Sequence, residues 1–84
     1  MQLQLEVFGV LRDRLKERLP GGRGAVEVPD GSSIAQLGEQ LQVPIVANCV
    51  VMVNGQTERD RNRALPAGSK VTLIPPVAGG ALGG

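Results

Sequence analysis

The residues best placed to do chemistry lie in the last ten positions, Pro75-Pro76-Val77-Ala78-Gly79-Gly80-Ala81-Leu82-Gly83-Gly84. Adjacent prolines cannot donate ladder hydrogen bonds, so a strand running into them must stop. Beyond them come four glycines in six residues and no charged side chain. Such a stretch buries little and gains chain freedom. A mobile tail over residues 75–84 is therefore expected, ending in a bare α-carboxylate flanked by backbone alone. That is poor material for a core and good material for a narrow slot in another protein.

Other chemistry is largely excluded. The sequence has one cysteine, Cys49, and no histidine. An internal disulfide is impossible, and a histidine-based metal site or triad cannot be built. Cys49 opens the apolar run Cys49-Val50-Val51-Met52-Val53, where a thiol is expected to behave as a small buried hydrophobe. Nine basic residues against eight acidic ones leave a net charge of +1, and Phe8 is the lone aromatic. Neither a basic stripe nor a stacking platform is available for nucleic acid. With no signal-like segment and no apolar run of about 18 residues, no membrane span is expected and the location is expected to be cytoplasmic.

The 84 residues must hold this tail on one small domain. Leu3, Leu5 and Val7 alternate with Gln4, Glu6 and Phe8, the pattern of a strand with one buried face. After Gly9, Leu11, Leu15 and Leu19 recur every fourth residue and predict a surface helix over 10–19, its basic side chains solvated. Pro20-Gly21-Gly22-Arg23-Gly24 predicts a flexible turn, and Ala25 to Val28 a second strand paired with the first. Ser32 or Ser33 is the expected N-cap of the next helix, and Ser33 with Gln36 has capping-box spacing ahead of the stripe Ile34, Leu37 and Leu41, which predicts a helix to about Gln42. Gly38 weakens that helix by roughly 1 kcal/mol relative to alanine. Cys49 to Val53 reads as a strand, Asn54-Gly55 as a hairpin turn and Gln56 to Glu58 as its short mate. Arg59 to Arg63 reads as a surface loop, and Lys70 to Ile74 as the last strand, with Val71 and Leu73 inward. The first and last strands can then lie side by side in parallel. The expected class is α+β: a β-grasp roll over residues 1–74, a mixed sheet of four or five strands with one main helix.

With those elements placed, the run from Leu65 to Gly80 resembles the C-terminal signature of ubiquitin-like sulfur carriers, most of all the small subunit of molybdopterin synthase (MoaD type). Phe8 through Leu11-Arg12-Asp13, Pro29-Asp30-Gly31-Ser32 and Val53-Asn54-Gly55 resemble that family's first strand and helix, helix entry and central hairpin. In the family the Gly-Gly after Pro-Pro-Val is terminal, whereas here Ala81-Leu82-Gly83-Gly84 follows. Two ends are thus candidates: Gly84 as written, or Gly80 if the last four residues are removed. Counted from Pro75, they reach about 33 Å and about 20 Å at ~3.3 Å per extended residue, so one slot of fixed depth cannot serve both.

The resemblance implies that an E1-like adenylating enzyme (MoeB type) uses ATP to activate the terminal carboxylate. A sulfur donor then leaves a glycine thiocarboxylate, whose sulfur is delivered to a pterin precursor inside the large subunit (MoaE type). The chain itself would bind no cofactor and catalyse nothing alone. Contacts with partners are expected along Pro75, Pro76, Val77, Gly79, Gly80 and Gly83. Phe8, Ile74 and Met52 are expected on the sheet face away from the core, as a docking patch; Phe8 could instead be covered by the chain's own loop. Related alternatives are a carrier for thiamine or transfer-RNA thiolation, and a ubiquitin-like modifier joined to lysines. A plain binding module with an idle tail is a further alternative.

Overall fold

The computed structural model describes residues 1–43 and 49–76. The positions Val77, Gly79, Gly80, Gly83 and Gly84, together with the expectation of a mobile tail, lie outside the described residues.

The strands are β1 (Gln2–Val7), β2 (Arg23–Glu27), β3 (Val50–Val53), β4 (Gln56–Thr57) and β5 (Lys70–Ile74). The helices are α1 (Val10–Arg14) and α2 (Ile34–Leu41). The five strands form one mixed sheet in the order β2-β1-β5-β3-β4. At its centre β1 and β5 run parallel, with Leu5 beside Val71 and Val7 beside Leu73. β2 and β3 flank them antiparallel. Alternation along β1 and β5 turns Leu3, Leu5, Val7, Val71 and Leu73 to one face, where each is essentially fully buried. Ile34, Leu37 and Leu41 of α2 complete that core. This is the β-grasp arrangement of an α+β fold.

Local chemistry explains the boundaries. Ser33 caps α2: its hydroxyl accepts from the Gln36 amide, and the Gln36 side chain accepts from the Ser33 amide at 2.8 Å. The helix ends where Gln42 turns left-handed, with φ of 62°. Asn54 and Gly55 both have positive φ, 52° and 85°, as a two-residue turn between β3 and β4 requires. The Asn54 side chain then accepts from the Lys70 amide at 2.9 Å, tying the hairpin to β5.

Two expectations need correcting. The helix foreseen over 10–19 is regular only over Val10–Arg14. Leu11, Leu15 and Leu19 are buried as their spacing required, yet beyond Arg14 the backbone tightens into turns. Lys16 and Arg18 bond three residues back rather than four, and the residue before Pro20 is pushed out of helical geometry. The segment foreseen as a flexible turn is ordered: Pro20–Gly22 forms a 3₁₀ turn and β2 already begins at Arg23. Gly24 lies within β2 because Leu19 packs on it, 3.0 Å from where a Cβ would be. The surface loop expected over Arg59 to Arg63 is observed, and Arg61 anchors it: its guanidinium donates to the Cys49 carbonyl at 2.6 Å and the Glu58 carbonyl at 3.1 Å.

The Ser33 cap yields a direct check. Ser33→Ala is expected to lower the unfolding free energy by about 1 kcal/mol, read as a lower urea midpoint with unchanged slope.

Candidate functional site

The candidate site is the place where the chain leaves the sheet. β5 ends at Ile74, Pro75 is half-buried and Pro76 is exposed. Beside them β1 also ends: the Phe8 amide donates to the Leu73 carbonyl at 3.2 Å, the last rung between the two central strands. Gly9 then turns the first chain away into α1 while Pro75 starts the other on its way out.

Continuing the parallel register places Phe8 alongside Ile74, and Ile74 is the direct partner of Val50 across the antiparallel pair. Met52 lies two residues along from Val50 on the same strand face, opposite Thr72. The sheet therefore brings Phe8, Ile74, Val50 and Met52 into one apolar row on the face away from the core. Ile74 is 36% exposed and Val50 48% exposed; Phe8 and Met52 are half-buried. The expected grouping of Phe8, Ile74 and Met52 holds geometrically. Val50 was not foreseen, because the uniformly apolar run at 49–53 conceals its own alternation; counting outward from buried Val51 would have found it.

A polar row adjoins the apolar one. Glu6 lies between Arg23 and Lys70, at 3.6 and 3.3 Å, on the neighbouring strands β2 and β5. Both basic groups are well exposed, so these pairs add little to stability. They set charge of both signs beside the apolar row.

Elsewhere, a cavity of about 530 Å³ lies between the β3–β4 hairpin and residues 63–66. On its wall the Asp60 amide and then the Arg63 guanidinium hold the Glu58 carboxyl below its ordinary range. It touches neither the apolar row nor the tail exit. Among the described residues no group of three or more His, Cys, Asp and Glu could hold a metal ion, and no helix is long and apolar enough to cross a membrane.

Cys49 is 5% exposed. Burial raises its thiol above the ordinary value of 9.0, and the nearby Arg61 charge opposes this only in part. The thiol is thus neutral at physiological pH and enclosed, unsuited to carry or attack sulfur.

Sequence comparison bears directly on this geometry. The sequence model of the ThiS family matches residues 5–80. The chain belongs to the ThiS family of ubiquitin-like sulfur carriers. Solved structures agree on the fold. A putative molybdopterin converting factor subunit 1 from Pyrococcus furiosus superposes with a TM-score of 0.66 at 21% identity, covering 92% of this chain and 99% of that one. The small archaeal modifier protein 1 of Haloferax volcanii gives 0.68 at 18% identity, covering 90% and 98%. A complex of subunits 1 and 2 of the Helicobacter pylori molybdopterin-converting factor gives 0.60 at 18%, covering 92% and 96%. No curated protein matches the chain in sequence.

The state of Cys49 makes a testable statement about pH. Its folded value lies above its unfolded one, so its contribution to stability is complete below the unfolded value. That contribution falls away as pH rises from there through the folded value. At pH 8 a thiol reagent should label native protein far more slowly than urea-unfolded protein, and Cys49→Ala should flatten the alkaline loss of stability.

Proposed function

We propose that this chain is the sulfur-carrying small subunit of a molybdopterin synthase. The observation that carries this is the family match extending through Gly80, so that it includes the Pro75-Pro76-Val77-Ala78-Gly79-Gly80 run as well as the roll. The described site supports it: a strand ending in two prolines beside an apolar docking row.

A carboxylate is a poor electrophile, so the terminal glycine must be activated first. An E1-like partner joins the carboxylate to AMP from ATP, releasing pyrophosphate. A donor of sulfide-level sulfur, hydrosulfide in the simplest case, then attacks the acyl carbon, AMP leaves with the acyl oxygen, and a thiocarboxylate and a proton remain. In the large subunit its anionic sulfur attacks the pterin precursor, and water then cleaves the acyl–sulfur bond of the resulting thioester, leaving the sulfur on the pterin and restoring the glycine carboxylate. The chain supplies the reactive group; its partners supply the pocket and the stabilisation of developing charge. Glycine fits the terminal positions because a Cβ would widen the tail near the reacting carbonyl. Proline fits the base because a fixed φ near −65° limits the directions of exit.

Gly84 is the acting residue in the chain as written, and Gly80 the alternative once residues 81–84 are removed. The large subunit docks on Phe8, Val50, Met52 and Ile74, with tail contacts at Pro75, Pro76, Val77, Gly79, Gly80 and Gly83. ATP belongs to the activating partner. The small archaeal modifier protein among the structural neighbours favours one second function, attachment of the terminal glycine to lysines of other proteins.

Reconstitution with a large subunit, an E1-like enzyme, ATP, a sulfur donor and the pterin precursor tests the proposal. Molybdopterin should form with the full chain, and deleting Gly84 should abolish it. Formation by a chain stopped after Gly80, but not by the full chain, would assign the role to Gly80. Product with neither, alongside lysine-linked conjugates in cells, would transfer the function to protein modification. Ile74→Asp should weaken large-subunit binding by tenfold or more, on the order of 1.4 kcal/mol or above for a central apolar contact, while leaving the thermal midpoint nearly unchanged.

A further inference from the structure

Gly9 has a backbone conformation, φ 60° and ψ −137°, that side-chain-bearing residues adopt only with strain. The turn it forms is short. The Leu11 amide returns to the Phe8 carbonyl at 3.2 Å and the Arg12 amide to the Gly9 carbonyl at 3.1 Å. A tight turn alone would explain a glycine, but a second feature points outward from it. A Cβ on Gly9 would lie 3.0 Å from Cγ and 3.8 Å from Cδ of Pro75. Gly21, Gly31, Gly55 and Gly68 also have positive φ, yet a Cβ on any of them would meet nothing within 4 Å. Gly9 is thus distinguished from those turn glycines by what stands over it: the first residue beyond β5.

We propose that Gly9 is a positioning residue for the tail, its bare Cα forming the seat on which the Pro75 ring rests. The central strands are clamped together up to the Phe8–Leu73 rung. One step further, β1 turns inward at Gly9 and β5 hands over to Pro75. With the ring seated, the direction in which the chain leaves the sheet is set by β1 as well as by the prolines. A Cβ at position 9 obliges the Pro75 ring to give by a few tenths of an ångström, which tilts the base from which the chain leaves the sheet. The catalytic consequence rests on the proposal that the terminus is adenylated by a partner; the contact itself does not.

The test is a double-mutant cycle of Gly9→Ala, Pro75→Ala and the pair, below the unfolding transition of every variant. ATP–pyrophosphate exchange is followed with the adenylating partner. Gly9→Ala is expected to lower kcat about tenfold through misplacement of the reacting group, with KM little changed because the surface of the roll is unaltered. Adding Pro75→Ala should return kcat to the level of Pro75→Ala alone, since the clash partner is gone. A residue needed only for the turn would lower the thermal midpoint and show no such rescue of kcat; that result, or an unchanged kcat in Gly9→Ala, overturns the proposal. A second measurement needs no partner and no variant. The unaltered chain should show nuclear Overhauser contacts between the Gly9 Hα protons and the Pro75 ring, and their absence also overturns it. Should the unaltered chain support no exchange at all, the adenylation proposal fails, while these contacts still decide the seat.

Discussion

The parallel pairing of β1 and β5 is the constraint on which the rest depends. The two strands stand at opposite ends of the described chain, and closing a loop of that length costs conformational entropy before any contact compensates. What offsets it is burial. Leu3, Leu5 and Val7 on one strand and Val71 and Leu73 on the other share a single core with α2, each side chain contributing roughly 1.5–3 kcal/mol when fully withdrawn from water. Because side chains alternate, the register that buries Val7 and Leu73 must turn Phe8 and Ile74 to the opposite face. The core and the docking row are two sides of one pairing. The same register brings Gly9 up to Pro75.

This explains how so small a domain can serve demanding chemistry. Among its described residues it offers no metal cluster and no accessible thiol. On the proposed reading its contribution is mechanical and geometric: a sheet, an apolar surface by which to be held, and a defined point of departure for the chain. The proposed function accounts for such economy, since it puts the reactive group on the terminal glycine and not on the roll. The three solved neighbours keep that roll at or below 21% identity, as expected where the essential features are strand order and alternation rather than particular side chains.

Much of this was legible in the sequence because local and long-range signals agreed. Ser33 with Gln36, Asn54-Gly55 and the alternation Leu3-Leu5-Val7 each specify their structure by short-range chemistry, and the fold uses all three as written. Other features were hidden for identifiable reasons. The leucine period at 11, 15 and 19 correctly marked buried positions but overstated the helix, since turns can bury the same three side chains and Pro20 limits what precedes it. Arg61 reads as one more charge in a polar stretch; its hydrogen bond to the Cys49 carbonyl exists only once distant segments meet. Val50 disappears in a run of apolar neighbours. Gly9 announces a strand break, while its role toward Pro75 depends on a contact 66 positions away in the chain that no local pattern encodes.

The central claim is that a passive, rigid roll presents a terminal glycine to be charged with sulfur. Intact and peptide mass spectrometry after incubation with an E1-like enzyme, ATP and a sulfur donor measures this most directly. The account predicts a mass gain equal to exchange of one oxygen for sulfur, confined to the C-terminal peptide, whose thiocarboxylate an alkylating reagent converts to the S-alkyl thioester. Sulfur found instead on Cys49, or a C-terminal peptide unchanged while the enzyme is active on another carrier, would contradict it.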